Sequence, residues 1–101
     1  MMKTTITQQN GVIVAILDGS LDTAASEQAT RDLAPLLESN GRDIIIDCTS
    51  LRYISSSGLR ILLSIRKSAN KTGSTVTLTN VNSVIRDVLF TTGFQNLFTI
   101  K

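Results

Sequence analysis

The sequence predicts an α/β domain: a mixed, mostly parallel sheet of four to five strands, with three to four helices and an N-terminal hairpin. Three observations carry that reading. Strand-like apolar runs alternate along the chain with segments whose apolar residues recur at helical spacing. The first two strand-like runs are separated only by turn residues, and Ile44-Ile45-Ile46 is β-branched without polar alternation. Strands that alternate with helices imply crossover connections, which join parallel neighbours and are right-handed.

In chain order, Thr5-Ile6-Thr7-Gln8 alternates as a strand does, Gln9-Asn10-Gly11 supplies turn chemistry, and Val12 to Leu17 is a continuous apolar run, together a hairpin. Asp18-Gly19-Ser20 is read as the break that ends the second strand. Ala25, Ala29, Leu33 and Leu37 fall on one face of a helix. Pro35 lies inside that pattern, where it removes the backbone bond to Arg31 and crowds that carbonyl, so a kink or break is expected near Leu33-Ala34. Asn40-Gly41 stops the helix, and Ile44-Ile45-Ile46 suits a central strand covered on both faces.

A loop is expected from Asp47 to the next helix, Gly58 to Ala69, whose Leu59, Leu62, Leu63, Ile65 and Ala69 share a face opposite Arg60, Lys67 and Lys71. Thr75 to Thr79 alternates strictly. Val84, Ile85, Val88 and Leu89 then recur at one-turn intervals, and Leu97 to Ile100 offers a last strand. Phe90 and Phe94 are assigned to the core.

With 101 residues the chain is read as one domain, residues 1–101. Apolar residues at 42% against 18% charged place it among globular rather than disordered chains. No run approaches the roughly 20 apolar residues of a membrane span, and the first residues lack a signal peptide's apolar stretch, so a cytoplasmic location without membrane contact is expected. Ten basic and eight acidic residues are scattered rather than gathered in a basic stripe, which argues against a nucleic-acid partner. The single cysteine, Cys48, cannot form an intrachain disulfide and is read as a packed thiol. Without histidine the usual zinc sets cannot be built, and neither metal nor cofactor is expected.

The chemistry-bearing feature is Ser55-Ser56-Ser57 at a helix start. The first N–H groups of a helix lack internal partners, so a serine hydroxyl there can cap the end, a role open to Ser56 or Ser57, and a phosphate can be held. A phosphoserine adds about −1.5 to −2 charges at neutral pH, enough to repel a partner surface without refolding. A catalytic serine needs a base, and no histidine exists; nothing pairs Lys67 or Lys71 with the triplet, and no phosphate-cradling glycine loop is present. The chain is therefore read as a non-enzyme. Asp18, Asp22 and Asp47, at expected strand ends, are read as caps or turn formers.

Four segments together resemble a STAS domain of the anti-sigma factor antagonist type: Asp18-Gly19-Ser20-Leu21-Asp22, Ile44 to Asp47, Ile54-Ser55-Ser56-Ser57-Gly58-Leu59, and Thr92-Gly93-Phe94. In that family the central motif reads Asp-Ser-Ser-Gly-Leu or Asp-Ser-Thr-Gly-Leu, and the residue two before the glycine is phosphorylated, which here is Ser56, with Ser55 and Ser57 as lesser candidates. The resemblance implies partner switching. The unmodified domain binds an anti-sigma factor, often a serine kinase with an ATP-binding domain, through Asp22, Ser55, Ser56, Ser57, Gly58, Leu59 and Arg60, and phosphorylation ends the binding. Ser55 stands where the family has aspartate. That departure gives weight to a second reading, an unphosphorylated STAS scaffold subunit of a larger assembly such as a lipid-transport ATPase complex.

Overall fold

Asn10 and Gly11 both take left-handed backbone, φ 53° and 79°, the pair of conformations that lets a two-residue turn match the twist of antiparallel strands. In the computed structural model, which describes residues 2–101, this turn joins β1 (Met2–Gln9) to β2 (Val12–Leu21). The chain continues through α1 (Thr23–Asp32), β3 (Ile44–Ile54), α2 (Ser56–Lys71), β4 (Val76–Thr79), α3 (Ser83–Thr92) and β5 (Thr99–Ile100), with short 3₁₀ turns at Ala34–Glu38 and Phe94–Asn96. The sheet order is β1-β2-β3-β4-β5, antiparallel at the hairpin and parallel elsewhere.

Each crossover steps one strand onward in the same direction. Right-handed connections of that kind place all three helices on one face of the sheet. The burial follows: Ile13, Ala15 and Leu17 of β2, Ile44 and Ile46 of β3, and Val76 and Leu78 of β4 are buried with the helical residues in one core. On the other face Val14, Ile16, Ile45 and Thr77 are only half-buried. The central strand is therefore not covered on both faces as its composition suggests; Ile45 is shielded laterally by Val14 and Thr77, its neighbours in register.

β3 is longer than expected because it bulges twice. Ile16 pairs with Asp47 but Asp18 with Ser50, and Gly19 pairs with Leu51 but Ser20 with Tyr53, so one extra residue enters β3 at each step. Each bulge resets the alternation. Cys48, Leu51 and Ile54, three apart, consequently all turn into the core. The first bulge is held by Asp47, whose Oδ1 accepts from the Thr49 backbone N–H at 2.9 Å and from the Thr49 hydroxyl. Asp18-Gly19-Ser20 does not end β2: these residues pair with both β1 and β3, with Gly19 at φ 119°, a conformation open to glycine.

Pro35 acts as expected. α1 stops at Asp32, and the proline enters a 3₁₀ turn at its first positions, where no N–H is required. The tighter turn shifts the helical phase, so Leu36 is buried while Leu37 is 42% exposed. Phe94 is half-buried, but Phe90 is 53% exposed and lies outside the core, because α3 turns Ile85 and Leu89 inward and position 90 falls beyond that stripe. Gly93 ends α3 in left-handed backbone at φ 78°.

Candidate functional site: the start of helix α2

Which serine caps α2 is decided by where β3 stops. Ser55 is the N-cap: its backbone is extended, and its Oγ accepts from the Gly58 N–H at 3.2 Å. The cap is therefore neither Ser56 nor Ser57. Ser55 is fixed by Leu21 at the end of β2, whose carbonyl accepts from the Ser55 N–H at 2.9 Å and from the Ser55 hydroxyl at 3.3 Å. With both hydroxyl functions engaged and 9% of its surface exposed, Ser55 is an inward-facing structural residue.

Gly58 has a physical reason to be glycine. A Cβ at this position would stand 2.7 Å from Leu21 Cγ, 2.9 Å from Ile54 Cγ1 and 2.9 Å from the Leu21 carbonyl oxygen. Its absence lets the first turn of α2 press against the ends of β2 and β3. Leu59 is 1% exposed and packs into the core.

The outer surface is formed by other members of the motif. Ser56 opens the helix and is exposed, Ser57 is half-buried, and Arg60 is exposed one turn further on. Ser56, Arg60, Lys67 and Lys71 line the solvent side of α2, opposite Leu59, Leu62, Ile65 and Ala69; Leu63 is half-buried between them. Asp22 joins this region because it follows Leu21 directly, and its Oδ1 caps α1 by accepting from the Ala25 N–H at 2.8 Å. Met2, Asp22, Ala24, Ala25 and Gln28 border a depression of about 400 Å³ beside it. Thus Ser56, Ser57 and Arg60 stand on the outer side of α2, with Asp22 next in sequence to the Leu21 that anchors its cap, whereas Ser55, Gly58 and Leu59 build the support beneath.

Two further apolar residues outside the motif are exposed. Tyr53, at the end of β3, is 45% exposed, and Val84, in the first turn of α3, is 50% exposed. α3 is held by its N-cap Asn82, which accepts from the Ile85 N–H at 2.9 Å and donates to the Leu51 carbonyl at 2.8 Å. Val84 follows the helical repeat of a core residue, and Tyr53 falls in an apparent loop, so neither carried a distinguishing signal.

Asp47 and Asp18 lie away from the triplet. Asp47 sits within β3 on the open face, and the Thr49 hydroxyl and N–H, with Asn80 assisting, hold its carboxyl below its ordinary value of 3.8. Cys48 is buried; loss of solvation, with Asp47 adding repulsion, pushes its thiol up to about 12, which removes it as a nucleophile near neutral pH. Among the described residues there is no group of three metal-ligating side chains, and no helix is long and apolar enough to cross a membrane.

Comparison with known proteins matches this architecture. The STAS domain profile covers residues 3–101. BtrV of Bordetella bronchiseptica, a candidate anti-sigma factor antagonist, is 30% identical over 99 residues, which cover 98% of this chain and 85% of that protein. An anti-sigma factor antagonist from Mycobacterium paratuberculosis superposes with a TM-score of 0.84 at 20% identity, covering 99% of this chain and 85% of that one. The Bacillus protein SpoIIAA, in its phosphorylated form, superposes with a TM-score of 0.72 at 20% identity, covering 98% of this chain and 91% of that one. The full-length profile match and the BtrV identity place this chain in the STAS domain family, as a homologue of its anti-sigma factor antagonists.

Proposed function

We propose that this domain is an anti-sigma factor antagonist, a cytoplasmic non-enzymatic regulator whose surface at the start of α2 binds an anti-sigma factor that is itself a serine kinase with an ATP-binding domain. Phosphorylation of Ser56 is the off switch. The observation that carries the reading is the division of labour within the triplet: Ser55 is turned inward and capped against Leu21, while Ser56 stands exposed at the first helical position. A kinase needs an accessible hydroxyl, and Ser56 is the triplet's exposed one.

The replacement of aspartate by Ser55 fits this assignment. Serine and aspartate are comparable N-caps, so the local backbone survives the exchange while one negative charge is lost. An unmodified antagonist presents Ser56, Arg60 and Asp22, with the apolar depression beside Met2 and Ala25 available to a partner side chain. A phosphate there adds a bulky dianion to that surface, which costs binding through charge and desolvation rather than through a change of fold.

Incubation with the cognate kinase and ATP, followed by mapping of the phosphate by mass spectrometry, tests the reading. Modification at Ser56 that abolishes co-purification with the anti-sigma factor is the expected result. Recovery of a transporter ATPase instead, with the triplet unmodified, would establish the scaffold reading in its place.

A further inference from the structure

Arg60 is exposed, and among the described residues the one ion pair is Arg31–Glu27, so the Arg60 guanidinium has no carboxylate partner there. It lies four residues after Ser56 on the same solvent-facing line of α2. Residues at that spacing are neighbours, with Cβ atoms about 5–6 Å apart. Direction favours the contact as well. Helical side chains lean toward the N-terminus, so a residue at position 60 can reach back over the turn that holds Ser56, and an anion placed four residues before a cation is the better orientation. Ser56 makes no side-chain hydrogen bond among the described residues that a phosphate would have to break.

We propose that Arg60 is the intramolecular counter-ion of a phosphate on Ser56, an inference that rests on the assignment of Ser56 as the acceptor. The guanidinium can present two parallel N–H donors to phosphate oxygens, a geometry that lysine cannot supply. Modification then changes the surface twice. It adds negative charge, and it holds in cis the cation that the unmodified domain offers to acidic groups of a partner. Lys67, eleven residues from Ser56, is about 16 Å along the helix axis and lies beyond reach.

The pairing is testable without any kinase, by preparing the full chain with genetically encoded phosphoserine at position 56 and titrating it by 31P NMR through the second phosphate dissociation near pH 6. With Arg60 present, the second dissociation constant is expected to be roughly two- to five-fold larger than in Arg60→Gln, a difference that fades in high salt. Asp22, the nearby acid, acts equally in both proteins and cancels. Lys67→Gln should titrate as the parent does. Equal constants in the parent and Arg60→Gln, or an equal effect of Lys67→Gln, overturn the pair in favour of a diffuse field. Affinity for the anti-sigma factor, measured on the parent chain with and without the phosphate, separates the two levels. A phosphorus shift with unchanged affinity retains the pair and sinks the switch, whereas lost affinity without the shift sinks the pair and retains the switch.

Discussion

Replacing Gly58 by alanine sets two effects of opposite sign against each other. By helix propensity alone the exchange stabilises, by at most about 1 kcal/mol. Against that, the added Cβ would sit 2.7 Å from Leu21 Cγ and 2.9 Å from both Ile54 Cγ1 and the Leu21 carbonyl oxygen. Leu21 and Ile54 are 0% and 1% exposed, so neither side chain can swing into solvent, and the third contact is backbone. Overpacking of such a site costs about 1–3 kcal/mol. The clash should win, leaving a net loss of about 1–2 kcal/mol, or a midpoint lower by roughly 5–15 °C for a domain of this size. Thermal and urea unfolding of Gly58→Ala against the parent measures it. The strain also falls on the carbonyl that holds Ser55, so slower phosphorylation of Ser56 should accompany the lower midpoint. An unchanged or higher midpoint would refute the close approach of α2 to the ends of β2 and β3.

The remaining expectations concern single groups. Ser55→Ala should cost about 1 kcal/mol by removing the cap, while Ser56→Ala should change stability by less than about 0.5 kcal/mol; urea denaturation that gives the reverse order would move the cap to Ser56. Cys48, with its thiol raised to about 12, should resist alkylation at pH 8 until the chain unfolds, and rapid labelling of the native protein would contradict its burial. Thr49→Val should raise the Asp47 carboxyl toward its ordinary 3.8, as read by NMR titration. Because the folded value is depressed, the stability that Asp47 lends is present above about 3.8 and is lost as pH falls through the lower folded value. The variant should therefore show a shallower loss of stability in that acid range.

Much of the architecture was legible because it depends on local rules. Two residues free to adopt left-handed backbone announce the hairpin, and Pro35 breaks α1 through its own ring. The spacing of Leu59, Leu62, Ile65 and Ala69 draws the buried face of α2 before any neighbour is known. The errors fall where a neighbouring strand overrules the local signal. Asp18-Gly19-Ser20 reads as a breaker but is held in β2 by pairing on both sides, and the stretch after Asp47 reads as a loop because two bulges scramble its alternation.

The serine triplet marks that boundary most sharply. By themselves the residues determined that a capping hydroxyl stands at the start of a helix, since serine chemistry and the glycine-leucine turn that follows require nothing further. They could not say which serine caps, because adjacent serines are chemically equivalent. Tertiary structure decided which one caps through the Leu21 carbonyl, 34 residues away in sequence, which takes both the N–H and the hydroxyl of Ser55, while Ser56 faces solvent. A hydrogen bond across that separation exists only once β2 and β3 lie side by side.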